Sequence, residues 1–175
     1  MKFNILVVLG AAALLSACDS YSAQQYQTNP QNTIALQTVA QAGRHATVGT
    51  VTVAESVNPR PACRLAGPID IGGDVASVVQ QAFLAEFLAA NIYRANATAL
   101  NITVTEMEPD SLAGNWAIGL HVASSRGALD VRQVTDFSTS FSAMSACNNT
   151  ADAFNRALGA AILAVVQHPD FRSLL

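Results

Sequence analysis

Glu106, Glu108 and Asp110 are the densest acidic group in the sequence, in the run TEMEPD. Two carboxylates two positions apart on a strand share one face, and such a pair can divide acid and base roles. The run closes on Pro109 at a strand end, where solvated charge is the ordinary outcome. The three histidines, His45, His121 and His168, lie far apart. None stands at a metal-ligand spacing from another histidine or a cysteine, so zinc is not implied. His168 precedes Pro169 at a helix end, where an imidazole interacts favourably with the dipole. His121 falls in an alternating run, on the face opposite Trp116. No G-x-S-x-G elbow occurs, and residues 67–73 lack the lysine and spacing of a phosphate loop. These residues imply no catalysis, no metal and no cofactor.

The three cysteines divide by position. Cys18 closes the run MKFNILVVLGAAALLSAC, in which Lys2 is a basic start and Ile5 to Leu15 an apolar stretch. That stretch has the length of a secretory signal and falls short of the roughly 20 residues of a membrane span. Leu15-Ser16-Ala17-Cys18 resembles the lipobox of bacterial lipoproteins. Small residues suit the peptidase cleft, and only a thiol forms the thioether. The resemblance implies removal of residues 1–17 and lipid attachment at Cys18. Two or three acyl chains hold a protein stably where one does not, so the membrane is the first partner implied. The plainer alternatives are a signal peptide with a chance cysteine and an uncleaved membrane-anchored N-terminus.

Cys63 and Cys147 remain as an even pair on a secretory route, where a disulfide is a more common fate than a nucleophile. One precedes the first long helix and the other the second. If both helices pack on one sheet face, the two approaches can reach the Cα separation of about 4.4–6.8 Å that a bridge needs. Two free thiols and a bond between molecules are the alternatives.

Beyond Lys2, the only lysine, eight singly scattered arginines face twelve acidic residues. No basic patch can neutralise phosphates, which argues against nucleic acid and against electrostatic docking on anionic lipid. Residues 18–46 follow the signal as a polar, nearly uncharged stretch poor in bulky apolar side chains. They read as a flexible tether with a reach of roughly 30 Å; a short strand through Ile34, Leu36 and Val39 is the alternative. Residues 47–175 are enough for one domain. Within them, 47–54 reads as a strand and 55–73, broken by proline and glycine, as a long loop.

Asp74 caps a helix running to about Arg94, with Val75, Val78, Val79, Ala82, Phe83, Phe87 and Ala90 inward. Glu86 falls on its remaining, wetter arc. Strands follow at LNITVTEM and at 115–124, the second pairing as a hairpin with 129–141, where Leu129, Val131, Phe137 and Phe141 point inward. Trp116 alternates with Ile118 and Leu120, which favours the core over an exposed anchor. Asn149 or Thr150 caps a last helix whose buried stripe is Phe154, Leu158, Ala161, Ile162 and Val165. The order β-α-β-β-β-α predicts an α+β two-layer sandwich, two helices on one face of a mostly antiparallel sheet of three or four strands.

From Asp74 onward this layout resembles the small YajG-type lipoproteins of Gram-negative bacteria. The shared features are the first helix, the strand LNITVTEMEPDS, a loop ending in Gly-Asn, a long hairpin and the closing NNTADAFNRALGAAILAVVQHPDFRSLL. More distantly it is similar to the N-terminal domain of TolB and related envelope lipoproteins. The resemblance implies a periplasm-facing lipoprotein of the cell envelope, with no catalytic residues to carry over. A small domain behind an anchor and a tether, without a catalytic constellation, points to an accessory protein that works by contact with another envelope protein. Asp19 resembles the inner-membrane retention signal of enteric bacteria, while the YajG resemblance points to the outer membrane, so both remain open. The alternative function is binding of a hydrophobic or cell-wall ligand, as in auxiliary lipoproteins of envelope transport. An apolar chamber between helices and sheet favours that alternative; a solid core favours the partner protein. If Cys18 carries the lipid, Cys18→Ala abolishes metabolic palmitate labelling and leaves an uncleaved or soluble chain. A processed, labelled, membrane-bound variant contradicts it.

Overall fold

The computed structural model describes residues 21–64 and 67–175. The signal segment 1–17 and Cys18 lie outside the described residues. The elements are β1 (Tyr21–Ser22), α1 (Pro30–Gln41), β2 (Ala46–Val53), β3 (Ala62–Cys63), β4 (Gly67–Asp70), α2 (Val75–Ala89), β5 (Thr98–Asp110), β6 (Asn115–Ser124), β7 (Gly127–Asp136) and α3 (Ala143–Gln167), closed by a 3-10 turn at Phe171–Leu174.

The main sheet has the order β2-β5-β6-β7, with β2 parallel to β5 and the other pairs antiparallel. The strands exist because Leu100, Ile102 and Val104, and Trp116, Ile118, Leu120 and Val122, alternate with polar or small residues. All seven of these apolar side chains are buried on one face. Over that face lie α2, against β2, and α3, against β6 and β7. Asp74 starts α2 as expected, its carboxylate accepting from the backbone N–H and the hydroxyl of Ser77 at 3.0 and 2.6 Å. Those two donors hold the Asp74 carboxyl below its usual range. The fold is the predicted α+β sandwich, with a third helix and a small second sheet, β1-β4-β3, added to it.

Those additions correct the reading of residues 18–46 as a tether. Tyr21 pairs with Ile69, so the long loop at 55–73 contains strands and the N-terminal segment begins on them. Asn29 caps α1 by accepting from Gln31 N–H, and Pro30 supplies the first helical residue. Asn32, Leu36 and Val39 form a narrow buried stripe, while Ile34 is exposed. This stripe packs on α2 and α3, making α1 an outer layer over the two sheet-covering helices. Farther along, Arg44 reaches the carbonyls of Arg172 and Leu175 at 3.0 and 3.1 Å.

Glu86 explains why so polar a segment binds. It is fully buried on α2 rather than on a wet arc. Its Oε1 accepts from Tyr26 O–H at 2.7 Å, Asn29 N–H at 2.7 Å and Asn32 Nδ2 at 3.0 Å. The same Asn32 nitrogen donates to the Gly159 carbonyl of α3 at 3.0 Å. A buried carboxylate stripped of water must be met by protein donors, and all three come from the segment between β1 and the first turns of α1. Burial, then the hydrogen bond to Glu86 and its charge, push the Tyr26 phenol well above its ordinary value.

Two further expectations shift. α3 begins at Ala143 behind Ser142, not at Asn149 or Thr150, so Cys147 lies inside the helix. Asn149 instead donates to the Ser138 carbonyl, and the Thr150 hydroxyl to the Ala146 carbonyl one turn back; both are interior residues with locally satisfied side chains. Phe141, expected inward, is fully exposed because the strand has ended at Asp136.

Two outcomes follow. Deleting residues 19–44 strips α1 from the domain, uncovering Glu86 and losing Leu36 and Val39, roughly 1.5–3 kcal/mol each. At about 2–4 °C per kcal/mol the calorimetric midpoint falls by on the order of 10 °C, whereas a true tether leaves it nearly unmoved. Alkali gives the second. A phenol with a raised folded pKa contributes stability that is present below the unfolded value of about 10 and lost as pH rises beyond it. Denaturant midpoints therefore fall above that pH in the parent and fall less in Tyr26→Phe.

Candidate functional site

The face of the main sheet opposite the helices has no covering element among the described residues. Register places Asn101, Thr103, Glu106 and Glu108 of β5 there, with Ala117, Gly119 and His121 of β6 and Asp130, Arg132 and Val134 of β7. Antiparallel sheets often leave one face to water, and here the polar phase of each alternating run faces out. The acidic trio and His121, distant in sequence, are thus brought onto one surface.

A bulge shapes its centre. Between Val104 and Glu106 the β5–β6 register shifts, so Thr105 is the extra residue and Glu106 stands opposite Gly119. Arg132 stands opposite Gly119 on the other side. Its guanidinium spans the glycine to reach Glu106, with Nε to Oε2 at 2.6 Å and Nη2 to Oε1 at 2.8 Å. A Cβ at Gly119 would meet the Thr105 hydroxyl at 2.5 Å and the Glu106 Cβ at 3.0 Å. The glycine is what lets a β7 cation pair with a β5 carboxylate across an intervening strand. Glu106 raises the Arg132 pKa further through this forked bond and its charge. One row along, His121 Nδ1 and Asp130 Oδ1 lie 2.8 Å apart as a cross-strand pair.

These pairings decide the chemistry. Glu106 is held in a two-pronged ion pair with Arg132, not poised with Glu108 as acid and base. Glu106, Glu108, Asp110 and Asn115 line a depression of about 390 Å³ with Arg64 and Arg132. Among the described residues no group of three or more His, Cys, Asp or Glu is placed to hold a metal ion, and no described helix is long and apolar enough to cross a membrane. His45 lies just before β2, and His168 caps α3, its Nδ1 accepting from Asp170 N–H at 3.2 Å. Arg132, Asp130 and Gly119 were not singled out from sequence; the alternation of β7 and the lone glycine in β6 were the available signals.

On the covered face the parts are locked. Cys63 and Cys147 form a disulfide with their Cα atoms 5.5 Å apart, joining β3 to α3. Trp116 is fully buried, donates from Nε1 to the Thr150 carbonyl at 2.8 Å and packs on Phe154 with ring centroids 5.2 Å apart. Phe83, Phe87 and Phe154 are also fully buried. These aromatic rings stand in the core between the sheet and the helices.

No family model matches the chain, and no curated protein matches it. Among solved structures, the crystal structure of an uncharacterized protein is similar over 85% of this chain and 95% of that one, with 10% identity and a TM-score of 0.48. Protein XCC0632 from Xanthomonas campestris, which carries the family name DUF330, is similar over 83% of this chain and 91% of its own, with 14% identity and a TM-score of 0.43. Both are likenesses of outline, too remote to carry an argument about function, and neither bears the YajG name.

Proposed function

We propose that the chain is a lipid-anchored, periplasm-facing protein of a Gram-negative cell envelope that acts by contact with another envelope protein through the uncovered face of its main sheet. The observation that carries this reading is the contrast between the two faces. One is filled by Trp116, Phe83, Phe87 and Phe154 and sealed by α2 and α3. The other presents an ordered lattice of charged and hydroxylic side chains with no covering element among the described residues. The lipobox at Cys18 and the resemblance to YajG-type lipoproteins support the compartment.

The folded N-terminal segment changes how such an anchor works. Tyr21 already belongs to the sheet β1-β4-β3. Three residue steps separate it from Cys18, at most about 11 Å of chain. An acyl group on Cys18 therefore holds the domain against the head groups, not at the roughly 30 Å of a flexible tether.

The second reading, a ligand carrier, is favoured by one feature. A cleft of about 460 Å³ runs beside α2, lined by Gln25, Tyr26, Ile71, Val78, Gln81 and Ala85, a volume within the range of small-molecule sites. In-cell photo-crosslinking separates the two. With a photoreactive residue at Thr103 or Glu108, the proposal expects one discrete protein adduct, absent when the probe sits at Ile34 on α1 and absent from Cys18→Ala cells. Adducts from both faces alike, or none from Thr103 and Glu108 together with lipid or cell-wall fragments retained in native mass spectra, overturn it.

A further inference from the structure

The two edges of the main sheet are treated differently. β2 is interrupted by an irregularity between Val48 and Val51, its Gly49 carbonyl accepts from Gln80 Nε2 at 3.4 Å, and the outward N–H and carbonyl of Ala46 are taken by the Ile92 carbonyl and the Arg94 N–H at 3.2 and 3.0 Å. Such bulges and side-chain caps are the usual protections of an edge. β7 has none of them over most of its length. It runs ten residues in unbroken register with β6, contains no proline, and belongs to a chain whose only lysine is Lys2.

The direction of its backbone groups follows from the hairpin. Phe137 N–H donates inward to the Gly114 carbonyl at 2.7 Å. By strand alternation Gly127, Leu129, Val131, Gln133 and Thr135 also bond to β6, and Ala128, Asp130, Arg132, Val134 and Asp136 point outward. Two side chains confirm the phase: Gln133 Nε2 donates to the Val134 carbonyl at 2.7 Å, and Arg156 Nη2 to that of Asp136 at 3.4 Å. Ala128, Asp130 and Arg132 keep their outward groups free of any protein partner among the described residues.

We infer that this edge pairs with the β7 edge of a second copy, antiparallel about a two-fold axis through Val131, joining two four-stranded sheets into one of eight. The charges select that register. Centred on Val131, Asp130 of each copy lies opposite Arg132 of the other, and Ala128 opposite Val134. Moving the centre by one residue sets Asp130 against Asp130 or Arg132 against Arg132, and like charges directly opposite are destabilising. Asp130 and Arg132, though paired within the sheet, stay accessible from the edge, with side chains 76% and 61% exposed. Across the joint the row reads Glu106, Arg132, then Asp130 and His121 of the second copy, alternating carboxylate with base. Val134, an exposed large apolar residue, gains the second copy's Ala128 as a neighbour, and the Gln133 amide gives up the Val134 carbonyl to a ladder bond. An isologous contact of this kind closes on itself, so the assembly stops at two.

The test uses full-length protein extracted in mild detergent. Sedimentation with the detergent mass subtracted is expected to give a dimer, and Val134→Lys, which puts a charge on the edge without touching the β6 ladder, weakens it at least about tenfold in Kd while the thermal midpoint of the dissociated chain is unchanged. Register is read by oxidation. Val131 meets its own copy as a non-hydrogen-bonded pair, about 4.5 Å between Cα atoms and within disulfide reach. Val131→Cys therefore gives a reducible covalent dimer and Gln133→Cys does not. A monomeric parent, a dimer indifferent to Val134→Lys, or cross-linking at Gln133 in place of Val131 overturns the inference.

Discussion

A carboxylate with no solvent exposure is the constraint around which the helical layer is arranged. Glu86 sits on the middle helix, between the sheet-covering layer and the N-terminal segment, and must find donors where it lies. It draws a tyrosine hydroxyl, a backbone amide and an asparagine amide onto one oxygen. Because that asparagine also bonds to the last helix, one side chain ties α1, α2 and α3 together. Leu36 and Val39 alone offer too little apolar surface to hold a twelve-residue helix of Gln, Asn and Thr in place. The polar cluster fixes where that helix sits, and the small apolar stripe then becomes useful.

The lower half of the domain is fixed by different means. Cys63–Cys147 and the Trp116 bond to Thr150 hold the start of α3 to β3 and to the sheet. With the helices pinned from both sides, the sheet has one dry face and one wet one, and the wet one is cross-linked by ion pairs between strands. Its charges are not loose surface charges. Gly119 provides the gap through which Arg132 meets Glu106, and His121 and Asp130 form the neighbouring rung. In the proposed setting this face stands close to the membrane, because the chain from Tyr21 onward is already part of the fold.

How far this was legible can be told from particular residues. The strands at 98–124 could be read because Leu100, Ile102 and Val104, and Trp116 to Val122, alternate strictly, and period two has few other meanings. The disulfide was expected from the secretory route that the N-terminal run implies and from the even pair of remaining cysteines. α1 was missed because its burial is carried by Asn32 as much as by Leu36 and Val39, and the third bulky apolar residue of its twelve, Ile34, is exposed and breaks the helical spacing. Asn29-Pro30, a cap followed by a first-turn proline, was the signal available. Glu86 was misread for the complementary reason. A glutamate on a helix arc is placed outward by default, and only the approach of a second polar segment makes burial possible. The start of α3 was misplaced because Asn149 and Thr150 have the chemistry of caps, and sequence does not show that their side chains are occupied inside the helix. The Glu106–Arg132 pair lay beyond reach, since it joins strands that are not neighbours and depends on a bulge at Thr105.

Residues 30–41 are a folded part of the domain, held there by Glu86. Amide hydrogen exchange on the full-length protein reads this directly, because a buried, hydrogen-bonded helix exchanges only on opening and an unfolded segment exchanges freely. The amides of 34–41 are expected to be protected to the same order as those of α2, and to lose most of that protection in Glu86→Ala while β5 and β6 keep theirs. Exchange of 34–41 at the rate of an unstructured chain in the parent protein, or protection indifferent to Glu86, would contradict it.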